Sequence, residues 1–119
     1  MYSKRLLDHF QQPRNVGKLE APAATVEVSN PACGDVLRLS AAFRDGRIAE
    51  ARYQTRGCAA SIGCGSALTE WMIGKTPAEL AALETRVIEE AVGGLSAASK
   101  HSAALCVDAV KALLKAGAG

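Results

Sequence analysis

Residues 36–55, VLRLSAAFRDGRIAEARYQT, constrain the fold more tightly than any other stretch of the chain. Two runs with strand character, 36–43 and 48–55, flank Asp45–Gly46, and an Asp-Gly pair between such runs is a strong short-range signal for a tight antiparallel hairpin. A third run, TVEVS at 25–29, precedes them across a short irregular segment, so the simplest arrangement is an antiparallel meander of three strands.

Helical signals lie on either side of the strands. Leu6, Leu7 and Phe10 recur at helical spacing behind Ser3, and Pro13 stops the run, which predicts a short helix over 3–12 docked on the surface with His9 on its polar, solvated side. After residue 60 the chain turns alanine-rich. SIGCGSALTEWMIG (61–74) reads as a helix despite its glycines. TPAE (76–79) is a capping box with proline at the first helical position, and short helices follow over about 77–82 and 84–91. The last helix, about 100–116, carries Ala103, Cys106, Val110 and Leu113 on one stripe and stops at Gly117. The expectation is an α+β domain spanning 1–119: a three-stranded antiparallel sheet packed against several helices, with a long C-terminal helix.

Composition removes several classes of function. A chain of 119 residues can bury about two-thirds of its unfolded surface, so no metal is needed merely to fold. Fourteen Lys and Arg against twelve Asp and Glu leave a formal charge of +2, with no basic cluster and few aromatics, which argues against nucleic-acid binding. The opening residues lack an apolar signal core and nothing approaches the length of a membrane span. A soluble, cytoplasmic protein with reduced thiols is expected, so metal binding or thiol chemistry takes precedence over disulfides for the four cysteines, Cys33, Cys58, Cys64 and Cys106.

Cys33 lies in SNPACGDV and Cys58 in TRGCAAS, both beside glycine and outside the regular periodic runs. In a three-stranded meander the first connection and the end of the third strand lie at the same end of the sheet, so these thiols converge across 25 residues of sequence and bring Asp35 with them. The start of the last helix, SKHSAALC, adds His101 if that end faces the sheet tip, where a helix N-terminus also favours thiolates. Cys33, Asp35, Cys58 and His101 then form a four-donor set suited to zinc or iron. Cys64 and Cys106, inside helices, read first as small buried side chains.

These stretches resemble a known family, the IscU/NifU-type iron–sulfur cluster assembly scaffolds. The resemblance spans nearly the whole chain: YSKRLLDHFQQPRNVGKL at the N-terminus, NPACGD and RGCAAS as the two ligand loops, LTEWMIGKTPAE in the following helix, and KHSAALCVDAVKALL in the last. It implies an assembly platform, not a turnover enzyme, that receives sulfur from a cysteine desulfurase, takes iron, holds a labile [2Fe–2S] cluster and passes it to acceptor apoproteins. It also implies that Cys33, Asp35, Cys58 and His101 bind the cluster, with zinc as an occupant of the cluster-free form.

Two departures accompany the resemblance. Where the family carries a third cysteine directly after its histidine, this chain has Ser102, and its LPPVK segment reads LSAAS at 95–99, which puts a dedicated chaperone in doubt. Cys106 follows Ser102 by four residues, about 6 Å along the helix axis, and is the one thiol on that helix able to replace the missing ligand. Competing readings are a zinc-bound sulfur-transfer protein similar to the SufU group, using the same residues, and a regulatory paralogue that only binds a partner. Hydrolysis by a Cys–His pair finds no evident oxyanion hole.

Overall fold

In the computed structural model, which describes residues 2–31 and 34–116, the chain forms helix α1 (Lys4–Gln11), strands β1 (Ala24–Ser29), β2 (Val36–Arg44) and β3 (Arg47–Arg56), then helices α2 (Ala59–Met72), α3 (Pro77–Ala81), α4 (Thr85–Ala91) and α5 (Lys100–Lys115). A single 3₁₀ turn, Ala97–Ser99, leads into α5. The strands pair in the order β1-β2-β3, antiparallel throughout, as the hairpin signal predicts. Asp45 and Gly46 both have positive φ, 54° and 77°, the signature of a type I′ turn whose twist matches the flanking strands. Gly117 and the two residues after it lie outside the described residues.

Alternation along the strands decides which face of the sheet is covered. Leu37, Leu39 and Ala41 of β2 and Ala51 and Tyr53 of β3 are buried beneath α2 and α5, while Glu27, Arg38 and Gln54 face water and bond one another across the strands. The free edge of β3 is partly covered by the segment after α1, where the Gly17 amide donates to the Tyr53 carbonyl and the Tyr53 amide to the Asn15 carbonyl, both at 2.9 Å. Helix α5 lies against β1 and β2 with Ala103, Cys106, Val110 and Leu113 all buried, as the stripe predicts.

Helix α2 is buried on nearly every side, and its small residues are what permit this. A Cβ on Gly63 would fall inside the Leu6 side chain of α1, and one on Gly65 would lie 2.5 Å from the Tyr53 ring. The glycines that weaken α2 as an isolated helix therefore mark where α1 and β3 pack against it. Tyr53 completes this seam by donating its hydroxyl to the Ile62 carbonyl at 2.7 Å.

The face of α1 that docks differs from the one its periodicity suggests. Leu6 and His9 point inward, with His9 only 8% exposed, whereas Leu7 and Phe10 are left at the surface. His9 is thus not a solvated residue: its Nδ1 meets the Ser66 hydroxyl at 2.7 Å, a polar contact that the small residues of α2 leave room for. The Ser3 hydroxyl accepts from the Leu6 amide at the start of α1 and donates to the Val92 carbonyl at the end of α4, so the start of α1 is tied to the end of α4.

Two expected outcomes follow from this packing. Gly65→Ala places a methyl group into the Tyr53 ring, and despite the ~1 kcal/mol that alanine gains over glycine in a helix it should lower stability by about 1–3 kcal/mol, read from the urea midpoint. Burial, then the Arg14 charge, hold the His9 ring below its usual pKa against the opposing pull of Glu70 and Asp8. Below the ordinary histidine value of about 6.5 the unfolded chain therefore takes up this proton first, and acidification favours unfolding. His9→Gln should flatten the loss of stability between about pH 7 and pH 5; an unchanged slope would discount this group.

Candidate metal centre

The β1–β2 connection closes on itself: the Asn30 amide donates to the Asp35 carbonyl at 2.9 Å, and the Gly34 amide to the Asn30 carbonyl at 2.7 Å. This sets Asp35 immediately before Val36, whose partner on β3 is Arg56, so Asp35 lies beside Gly57 and Cys58 as the chain leaves the sheet. A Cβ on Gly57 would come within 2.6–2.9 Å of the Asp35 carboxyl atoms. Only a bare backbone admits the carboxylate here.

Cys58 is the N-cap of α2, with an extended backbone, and Ser61 stands one turn further on with its amide bonded to the Cys58 carbonyl at 3.0 Å. The helix starts two residues earlier than its periodicity suggests, because Ala59 and Ala60 already form its first turn beneath the sheet tip. His101 and Ser102 arrive from the first turn of α5, so two helix N-termini face the end of the sheet.

The side chains gather around Asp35 Oδ2. The Ser61 hydroxyl donates to it, His101 Nε2 lies 3.3 Å away, and Cys58 Sγ lies 3.8 Å away. Ligand atoms of Asp35, Cys58 and His101 all fall within 4.8 Å of one another, the one such grouping among the described residues. Asp35 is 6% exposed whereas the His101 side chain is 26% exposed, so the site is closed beneath and open towards His101. Ser102, itself buried, approaches Ser61 Oγ to 3.0 Å and Cys58 Sγ to 4.0 Å.

The electrostatics favour a charged pair. Burial opposes the Cys58 thiolate, but the Ser61 amide, the Ala60 amide and the His101 ring favour it, and the thiol is held below its ordinary value. Burial likewise opposes a charged His101, and the neighbouring Cys58 and Asp35 raise it above the usual histidine value. A thiolate, a carboxylate and an imidazole in mutual reach suit zinc or iron and disfavour hard cations such as magnesium.

Cys33 lies outside the described residues. The described structure brings together Asp35, Cys58 and His101 of the four donors expected from the sequence. Cys106 stands apart from them, fully buried in the core, where burial and then the neighbouring Cys64 push its thiol up. Cys64 is likewise buried, its thiol pushed up to about 12 by desolvation and then by Cys58 and Glu89. The sequence reading missed Gly57 and Ser61; the Gly-Cys-x-x-Ser spacing, which sets cysteine and serine on one helical turn, is the signal that could have found them.

Residues 1–116 match the NifU-like N terminal domain. The chain belongs to that family. Among its NifU-like relatives, the iron-sulfur cluster assembly scaffold protein IscU 1 of Archaeoglobus fulgidus is 41% identical over 111 residues, covering 93% of this chain and 72% of the relative. The IscU scaffold protein of Azotobacter vinelandii is 39% identical over 118 residues, covering 96% and 91%. In fold, the NifU-like N-terminal protein of Brucella abortus superposes with a TM-score of 0.74 at 21% identity, covering 95% of this chain and 91% of that one.

Thiol exposure separates the three described cysteines. In the native metal-free protein iodoacetamide should modify Cys58 readily, while Cys64 and Cys106 stay unmodified until denaturant is added, as peptide mass mapping would record. Native-state labelling of Cys106 would contradict its place in the core.

Proposed function

We propose that this chain is an assembly scaffold for iron–sulfur clusters: it accepts sulfur from a cysteine desulfurase, takes iron, holds a labile [2Fe–2S] cluster and hands it to acceptor apoproteins. The observation that carries the reading is the meeting of Asp35, Cys58 and His101 at an open sheet tip in a chain about 40% identical to proteins named as IscU scaffolds. Cys33, in the connection that leads into Asp35, is the second thiolate in this reading. The cluster is cargo, not a resident cofactor, and the protein works as a platform without turnover.

The chemistry of the donors supports this role. Thiolates bind iron strongly, whereas a carboxylate and an imidazole are harder donors that yield more easily to an acceptor's thiols. Cys58, its thiol lowered at a helix start, suits sulfur transfer, since the thiolate attacks the outer sulfur of a desulfurase persulfide and releases the donor's thiolate. Burial opposes any part for Cys106, so the site works with Cys33, Asp35, Cys58 and His101. No grip by a dedicated chaperone belongs to this reading, because residues 95–99 are LSAAS. A cytoplasmic setting, where thiols stay reduced, belongs to this reading.

A second reading uses the same donors: zinc held by Asp35, Cys58 and His101, with one cysteine accepting sulfur for transfer, because this set matches zinc coordination as well as iron. Anaerobic incubation with ferrous iron, cysteine and a cysteine desulfurase, followed by visible absorption and metal analysis, distinguishes the two. The scaffold reading expects cluster absorption that Cys58→Ala abolishes while the thermal melt stays cooperative, and that persists longer in Asp35→Ala during transfer to an apoferredoxin. Stoichiometric zinc with sulfur acceptance and no cluster would replace it with the second reading.

A further inference from the structure

Among the described residues, three side chains meet Asp35 Oδ2, and they differ in what becomes of them when a metal binds. His101 Nε2 and Cys58 Sγ are donors of the site, so each gives up its contact with the carboxylate when it turns to an ion. Ser61 does not. Among the described residues, its hydroxyl is the side-chain contact to Asp35 that survives occupation of the site.

The direction of the hydrogen bonds extends this contact into a chain. A serine hydroxyl has a single proton, and that of Ser61 is committed to the carboxylate. In the 3.0 Å pair between Ser61 and Ser102 the proton must then come from Ser102, with Ser61 oxygen accepting. The chain runs Ser102 to Ser61 to Asp35, from the first turn of α5 through the first turn of α2 to the start of β2. All three residues are buried, Ser102 at 1% exposure, so water does not compete for these bonds. Gly57 closes the remaining side, with no room for a Cβ against the carboxylate.

We propose that Ser61 and Ser102 are positioning residues for the metal centre, forming a hydroxyl relay that holds the Asp35 carboxylate in the orientation from which it binds metal. The inference rests on Asp35, Cys58 and His101 being metal donors, and adds that position 102 acts through hydrogen bonding instead of ligation. Its proton points at Ser61, and a neutral hydroxyl 4.0 Å from Cys58 Sγ is a weak competitor for an ion beside a thiolate and an imidazole. Contacts of this kind behind a metal ligand fix its orientation, and their loss typically lowers metal affinity about 10–100-fold.

Cobalt(II) titration of the metal-free full-length protein tests the relay, because cobalt reports its ligands by absorption. Wild type should show a thiolate-to-cobalt charge-transfer band from cysteine together with ligand-field bands. Ser61→Ala should keep the charge-transfer band, shift the ligand-field bands towards those of Asp35→Ala, and weaken binding about tenfold or more. Ser102→Ala should act in the same direction with a smaller loss. In an Asp35→Ala background both serine substitutions should change affinity by less than about twofold, since the group they position is gone.

Losses that remain additive with Asp35→Ala, or a Ser61→Ala protein with unchanged affinity and spectrum, would overturn the relay while leaving the metal site standing. Should Ser61→Ala not fold, Ser102→Ala with the same cycle decides the matter. A wild-type protein that binds no cobalt, with no thiolate band, would overturn both the relay and the donor assignment beneath it, which is a distinguishable result.

Discussion

A carboxylate with 6% of its surface exposed is the demand around which this end of the molecule is organised. An ionised carboxylate taken out of water carries a penalty of several kcal/mol unless donors replace its hydration. Asp35 sits at the first turn off the sheet, and its donors come from elsewhere: Ser61 from α2 and His101 from α5. Hydrogen bonds to a charged acceptor contribute about 1.5–3 kcal/mol each, enough to offset much of that penalty only when both helices are seated. The carboxylate thereby couples the candidate metal centre to the docking of two helices on one sheet.

Seating α2 is the more exacting requirement. The helix is apolar on most sides, and its contacts are admitted by residues without bulk: Gly63 under Leu6, Gly65 under Tyr53, and Ser66 under His9. Each close approach fixes the helix against a different element. Its first turn, which carries Cys58 and Ser61, is consequently presented at a defined height over the sheet tip, where Gly57 has left space for Asp35. Position along the sequence and position in the core are here one constraint, since moving α2 by a fraction of a turn would withdraw both the thiol and the hydroxyl.

Much of this was legible in the sequence. Strand periodicity and the Asp45–Gly46 pair gave the meander with its ends within a residue or two, and the meander alone implied that Asp35 and Cys58 meet. Caps located α1 and α3 because Ser3 and Thr76 announce helix starts by local chemistry. What stayed hidden depended on contacts distant in sequence. The start of α2 at Cys58 was obscured because cysteine is not a usual cap and small residues carry little periodic signal. The inward turn of His9 was hidden because its partner, Ser66, is 57 residues away. Gly57 and Ser61 were passed over since their roles exist only towards Asp35.

Burial sorts the thiols by the work they can do. Cys64 and Cys106 sit in apolar surroundings that push both thiols up, so neither presents a thiolate to metal or sulfur at neutral pH. Cys58, a few residues from Cys64, occupies the helix end where amides and His101 favour the anion over its desolvation. The thiol whose environment favours the anion thereby lies at the rim of the sheet, away from the core. A hydroxyl at position 102 sharpens that division. A thiol there would add a second soft donor about 4 Å from Cys58 Sγ and tighten the hold on any soft ion. Serine instead leaves the described part of the site with one thiol beside a carboxylate and an imidazole.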